Sequence, residues 1–289
     1  MPGQTFCALP RRVLRLGALA LFIGSLLSTT ACSDSSGDAA TPTPTPTVRL
    51  DNDAKLGPHL VDAQGNSIYY FSRDLSGANT CTGGCATLWP IFYEPNLVTG
   101  EGLQATDFTT ITTTDGRQQT AYKGWPMYYY APLNAAGQNV REKPGEVTGE
   151  SIGGVWFVMK PNYALLVART TVTNKATNQS VLKSFLIDSQ GRTLYTFGLD
   201  QTQPTTQSTN CSGGCITTWP VYLETGRTLP SLLKSSDFGV ITRPDGPNNA
   251  PRQQTTYKGM PLYYYTPDGA TRNRAEGDGI GNLWTVAAP

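Results

Sequence analysis

The sequence predicts an all-β protein of two duplicated domains, each built from two β-hairpin modules. Three observations predict it. A seven-residue pattern (Gly, two variable positions, an aliphatic residue or Met, Tyr, any residue, then Phe or Tyr) occurs four times: Gly65–Phe71, Gly124–Tyr130, Gly191–Phe197 and Gly259–Tyr265. A fixed internal repeat sets architecture before any single residue can be interpreted. Longer segments also recur in the same order: LVDAQGNSIYYFSRD with LIDSQGRTLYTFGLD, CTGGCATLWP with CSGGCITTWP, and RQQTAYKGWPMYYY with RQQTTYKGMPLYYY. Finally, Ile, Val, Tyr, Phe and Thr dominate these segments, as pleated strands prefer, and no long segment carries helical periodicity.

Residues 1–31 read as an export signal. Arg11, Arg12 and Arg15 precede an apolar run from Leu16 to Leu27, and small residues lead to Ala31. The run is short for a membrane span and ends in a cleavage pattern. Cys32 follows directly, which resembles a bacterial lipobox with Thr29 where Leu is usual. That resemblance implies acylation of Cys32 and a membrane partner through the lipid. Ser33 beside it resembles an outer-membrane sorting signal. Residues 32–47 are small, polar and Pro-rich, a disordered tether with nothing to bury.

The first repeat domain spans 48–160. Leu60-Val61, a turn over Asp62–Asn66, and Ile68–Phe71 predict one hairpin. Thr120–Lys123 and Met127–Tyr130 around Gly124 predict a second, and Val155–Met159 a closing strand. The repeated Gly fits a turn position with positive φ. Short helices are expected around Leu103–Phe108 and Leu229–Phe238. Residues 161–177 read as a connector, because TTVTNKATNQS is polar and aperiodic. The second domain, 178–289, repeats the first, with Leu283–Val286 closing it.

Within each pattern side chains alternate. The first and third aromatics are expected in the core. The middle residue, Tyr70, Tyr129 or Tyr264 (Thr196 in one copy), is expected to face water or a partner, a candidate binding surface for sugars, quinones or protein.

Three copies continue to an acid: Tyr69-x-Phe71-x-x-Asp74, Tyr195-x-Phe197-x-x-Asp200 and Tyr263-x-Tyr265-x-x-Asp268, with Leu133 at that place in the second copy. Together with C-x-x-x-C, Trp89-Pro90, Trp219-Pro220 and Tyr-Lys-Gly, this resembles the predicted bacterial lipoproteins with a repeated Y-x-[FWY]-x-x-D motif, a secreted repeat of unknown function. The resemblance covers nearly all of 55–289. It implies an exported repeat domain and brings no catalytic residues.

Cys81, Cys85, Cys211 and Cys215 should be oxidised in an exported protein. Duplication favours Cys81–Cys85 and Cys211–Cys215 among three pairings. The spacing is not the C-x-x-C of thioredoxin-like enzymes, and no C-x-x-C-H haem motif occurs. His59 is the single histidine, so Ser-His-Asp, Cys-His and multi-His metal sites are unavailable within one chain. Asp107/Asp237 and Asp115/Asp245 recur without a recognisable ligand loop, and the Asp-Gly pairs are turn dipeptides. Without the three arginines of residues 1–31 the chain carries 19 basic against 21 acidic residues and no basic run, which points away from nucleic acid. No catalytic set, metal site or cofactor is implied. The expected function is a lipid-anchored envelope protein that binds or scaffolds a protein or glycan partner. The alternatives are a periplasmic redox or electron-transfer accessory using the Cys pairs, and a carbohydrate-binding module.

Overall fold

The computed structural model describes residues 44–200, 210–224, 226 and 228–289. The expected signal, Cys32 and the tether up to residue 43 lie outside the described residues. The architecture is all-β, and each α-helix is a single short turn.

One sequence of elements occurs twice. In the first half β1 (Val48–Asp53) and β2 (Gly57–Asp62) form an antiparallel hairpin. Strand β3 (Tyr69–Phe71) and helix α1 (Gly84–Leu88) follow. Strands β4 (Phe108–Thr112), β5 (Gln118–Tyr122) and β6 (Trp125–Pro126) make a three-stranded meander. Strand β7 (Trp156–Val158) then returns to pair with β3. The second half repeats this as β8 (Leu165–Thr173), β9 (Ser180–Asp188), β10 (Tyr195–Phe197), α2 (Gly214–Thr218), β11 (Phe238–Arg243), β12 (Arg252–Tyr257), β13 (Met260–Pro261) and β14 (Trp284–Val286). Strand β14 pairs with β10 as β7 does with β3. The β5–β6 turn places Lys123 at φ 48° and Gly124 at φ 76°, and Lys258-Gly259 repeats it. Two consecutive left-handed residues are what a tight I′ hairpin turn requires, which explains the Gly of the second and fourth copies, while Gly65 and Gly191 take positive φ singly.

Three expectations change. Residues 161–177 are not a plain connector: they contain β8, paired with β9 over nine residues from Leu165↔Asp188 to Thr173↔Ser180. Apart from the buried Val172, the outer part of this hairpin is half-exposed or exposed, so it carries Thr, Asn and Ser and shows no apolar period. The helices expected near 103–108 and 229–238 are single 3-10 turns, Ala105–Asp107 and Ser235–Asp237, that lead into β4 and β11. The α-turns instead follow each Gly-Gly, where the disulfide closes an i, i+4 interval.

The middle aromatics are the third correction. Tyr70 is fully buried and Tyr129 is 7% exposed, while Tyr264 and Thr196 are half-buried. The strands that carry them have apolar material on both faces. Tyr69 and Phe71 join a cluster with Trp89, Tyr128 and Trp156. Tyr70 joins the larger core on the other face, with Leu60, Trp125, Met127 and Phe157. A strand covered on both sides buries every residue, and alternation no longer separates core from surface. That larger core runs through both halves, since Leu186, Tyr195 and Leu262 belong to it too. The backbone joins them as well: Arg169 N–H of β8 donates to the Ser72 carbonyl at 2.8 Å.

Candidate functional site

The repeat motif builds four buried phenol–carboxylate pairs. Each Tyr donates to the acid of the other copy in its half. Tyr128 Oη lies 2.5 Å from Asp74 Oδ2, Tyr195 Oη 2.5 Å from Asp268 Oδ2, and Tyr263 Oη 2.7 Å from Asp200 Oδ2. The paired tyrosines also exchange backbone hydrogen bonds, Tyr69 with Tyr128 and Tyr195 with Tyr263. The fourth acid is Glu142, which Tyr69 reaches at 2.5 Å. Leu133, at the motif position, is 64% exposed. Gly149 comes nineteen positions after Tyr130, against twelve from Tyr265 to Gly277. The extra residues form a turn closed by Leu133↔Asn139, and the acid follows it. The equivalence is complete in the backbone: Glu142 N–H donates to Tyr130 O as Asp268 N–H does to Tyr265 O.

The second oxygen of each acid fixes a loop. Asp74 accepts from Thr80 N–H and Oγ1, Asp200 from Asn210 N–H, Glu142 from Thr148 N–H and Oγ1, and Asp268 from Glu276 N–H. Burial pushes Asp74 up to about 6 despite these donors, and it raises Glu142, Asp200 and Asp268 in the same direction. Burial and the adjoining carboxylates hold the phenols of Tyr69, Tyr128 and Tyr195 protonated far above the ordinary range. These groups are spent on one another.

Between the pairs lies a stack of four rings. Phe71 stacks on Trp156 at 4.1 Å, Trp156 on Trp89 at 3.8 Å, and Trp89 on Tyr130 at 4.5 Å. Phe197, Trp284, Trp219 and Tyr265 repeat it at 4.3, 3.7 and 4.3 Å. The acid-bonded tyrosines meet the stack edge-on, Tyr69 against Trp89 and Tyr128 against Trp156. An edge on a face is the favoured geometry for ring quadrupoles. Both expected disulfides are present, with Cα–Cα distances of 5.2 Å for Cys81–Cys85 and 5.3 Å for Cys211–Cys215. Cys81 and Cys211 are buried.

The remaining sequence candidates occupy structural positions. Tyr129 and Tyr264 donate to Asp62 and Asp188 at 2.9 Å, under Arg141 and Arg192 respectively. Tyr70 is enclosed by Trp125, Phe157 and Tyr163. The outward stacking surface expected of these three tyrosines is therefore not formed. His59 is buried on Ser67 Oγ at 3.2 Å, and burial lowers its pKa. Among the described residues no group of three His, Cys, Asp or Glu side chains could hold a metal ion.

Sequence reading missed the seam between the halves. There a cleft of about 790 Å³ is lined by Lys123, Trp125 and Lys160 from the first half and Glu224, Thr228 and Arg272 from the second. Arg272 crosses the seam: Nε donates to Leu75 O at 3.1 Å, Nη1 to Lys123 O at 2.9 Å, and the guanidinium lies 4.6 Å over Trp125. Its stem fills the space over Gly191, where a Cβ would lie 2.9 Å from Arg272 Cγ. Lys123 has Asp107 3.7 Å away. Among the described residues Lys160 and Arg272 have no carboxylate within 4.0 Å. Trp125 Nε1 and Arg272 Nη2, in two residues of the cleft wall, are closed off from solvent and have no acceptor among the described residues. Glu224 is engaged by the Tyr222 hydroxyl and the Gly226 N–H. Scattered over three distant segments, these cations left no motif to find.

A family model described as a secreted repeat of unknown function matches residues 52–92, 109–139, 177–222 and 239–288. The four matched stretches together take in more than half of the chain. No curated protein and no solved structure matches it. No helix among the described residues is long and apolar enough to cross a membrane.

Proposed function

We propose that this chain, which belongs to the family of secreted repeats of unknown function, is a non-enzymatic binding protein of the cell envelope that takes an anionic ligand in the cleft between its halves. One observation carries the reading. Among the described residues the cleft wall carries two cations without a carboxylate partner, Lys160 and Arg272, and a carboxylate or phosphate supplies the counter-charge they lack. The non-enzymatic reading is supported by the acids of the repeat, which are buried and bonded to phenols and loop amides. Anchoring by lipid at Cys32 rests on the basic start, apolar run and small residues before it. Anchored at the outer membrane, the body would meet envelope polymers and proteins, many of them anionic.

The indole of Trp125 provides a reporter. Titration of the exported protein with inorganic phosphate, sulfate and polyphosphate is expected to change Trp fluorescence saturably, at least tenfold more weakly in Lys160→Met. No saturable change with any of the three, or an unaltered response in Lys160→Met, would sink the anionic-ligand reading. Anchoring is read separately, by the mass of the mature N-terminus. An unmodified Cys32 in the mature protein would remove the lipid.

A further inference from the structure

The two halves differ beside their disulfides, and the difference describes a ligand. In the second half Arg243, at the end of β11, is 2% exposed. Its Nε and Nη2 fork onto Asp245 at 2.9 and 2.6 Å. Nη2 also donates to the Cys211 carbonyl at 2.5 Å, and Nη1 to Gln254 Oε1 at 3.0 Å. The matching residues of the first half, read from Asp107-Phe108 against Asp237-Phe238, are Thr113 for Arg243, Asp115 for Asp245, Cys81 for Cys211 and Gln119 for Gln254. The acceptors are kept and the guanidinium is not. A cavity of about 230 Å³ stands there, lined by Cys81, Thr82, Gly83, Ala86, Thr113 and Asp115 among others. Ala86 stands where the second half has Ile216, which widens it further.

The acceptors remain able to work. The Cys81 carbonyl takes no hydrogen bond from the described residues. Asp115 already binds Arg117 at 2.9 Å and the Thr113 hydroxyl, and Gln119 binds Asn79. For the acid the second half shows that this is no obstacle, since Asp245 holds Arg252 at 3.4 Å as well as Arg243; Gln119 Oε1 stays with Asn79, so the site rests on Asp115 and the Cys81 carbonyl. A carboxylate offers about four lone-pair sites.

We propose that the cavity beside Cys81–Cys85 binds a guanidinium group on an alkyl chain, as an arginine side chain carries it, in the manner Arg243 displays within the same molecule. The fork onto Asp115 and the bond to the Cys81 carbonyl give planar, bidentate recognition that an ammonium cannot reproduce. The site is separate from the seam cleft and opposite in charge preference, so neither proposal depends on the other.

The test uses the exported protein and calorimetric titration with N-acetyl-arginine amide, agmatine, N-acetyl-lysine amide and N-acetyl-citrulline amide. Saturable binding of a guanidinium compound is expected, at least tenfold tighter than of the lysine or citrulline amides. Tighter binding of the capped amino acid than of agmatine assigns the source to a polypeptide, and the reverse to a free guanidino compound. Thr113→Arg should fill the cavity from within and abolish binding. Asp115→Asn, on an exposed side chain, should weaken it at least tenfold and decides the matter if Thr113→Arg does not fold. The proposal is overturned if no guanidinium compound binds, if citrulline amide binds equally well, or if Asp115→Asn binds as the wild type does.

Discussion

The Tyr69 hydroxyl lies 2.5 Å from a Glu142 carboxylate oxygen, 73 residues along the chain, and Glu142 thereby does for the second copy what an Asp does for the other three. Glu142→Ala is therefore expected to destabilise as an Asp74→Ala substitution would. It leaves the buried Tyr69 Oη without its acceptor, at about 1–3 kcal/mol, and also frees the more exposed Thr148 N–H. Leu133→Asp, which restores the motif, should change stability by less than about 0.5 kcal/mol because that side chain is in solvent. Urea unfolding of both variants checks this, and a large effect of Leu133→Asp would contradict the assignment.

Asp74 gives the fold an unusual acid response. With its carboxyl at about 6 in the folded protein and 3.8 as the reference, the folded state binds more protons between those values. Stability from this group therefore rises as pH falls through 6 and is fully gained below 3.8, a contribution of roughly 3 kcal/mol. Asp245 and Glu276, held low by Arg243 and Lys175, act in the opposite sense. The clean readout is the difference between wild type and Asp74→Asn, measured by urea unfolding from pH 4.5 to 7.5. That difference should grow in favour of the wild type on acidification. A flat difference would mean that Asp74 titrates normally.

Gly149 and Gly277 are required for space. A Cβ on Gly149 would stand 2.9 Å from Trp89 and Tyr69 ring atoms, and one on Gly277 2.8 Å from Trp219 and Tyr195. Each contact falls on a stacked Trp or on a tyrosine held edge-on against it, so Gly149→Ala should cost about 1–3 kcal/mol through overpacking. Altered near-ultraviolet circular dichroism of the Trp pair should accompany it. Gly84→Ala has open space around it and no positive φ, and should leave that spectrum unchanged.

Arg272 joins the halves by two hydrogen bonds and a ring contact. Arg272→Lys keeps the charge and loses the fork and the planar contact, so it should recover little of the loss caused by Arg272→Ala. Thermal unfolding of the pair checks this. Full recovery by Lys would reduce the contact to one of charge alone.

The disulfides contribute modestly. Cys81→Ala with Cys85→Ala opens a loop closed over four residues, for which chain entropy allows about 2 kcal/mol. A loss well above that, in denaturant unfolding, would show that the bridge also organises the ring stack.

What the sequence made legible is what is local or copied. The Gly of each pattern, the β5–β6 and β12–β13 turns, the closing strands and both disulfides follow from short segments. The middle aromatics were misread because alternation marks a surface only when one face of a strand is wet, and Tyr70 has the ring stack behind it and Trp125 before it. Glu142 was hidden by the inserted turn after Leu133. Residues 170–180 looked like a loop because a half-exposed hairpin needs few apolar residues. The seam was illegible for another reason: Lys123, Lys160 and Arg272 meet only after both halves have folded against each other.

The crossed tyrosine–acid pairs also impose a counting rule on the repeat. A chain that stopped after its third copy would own Asp200 with no hydroxyl to receive and Tyr195 with no acid to reach. Copies can be gained or lost only in twos, so a relative of this protein should carry an even number of them, and half of this one is the smallest piece that is chemically whole.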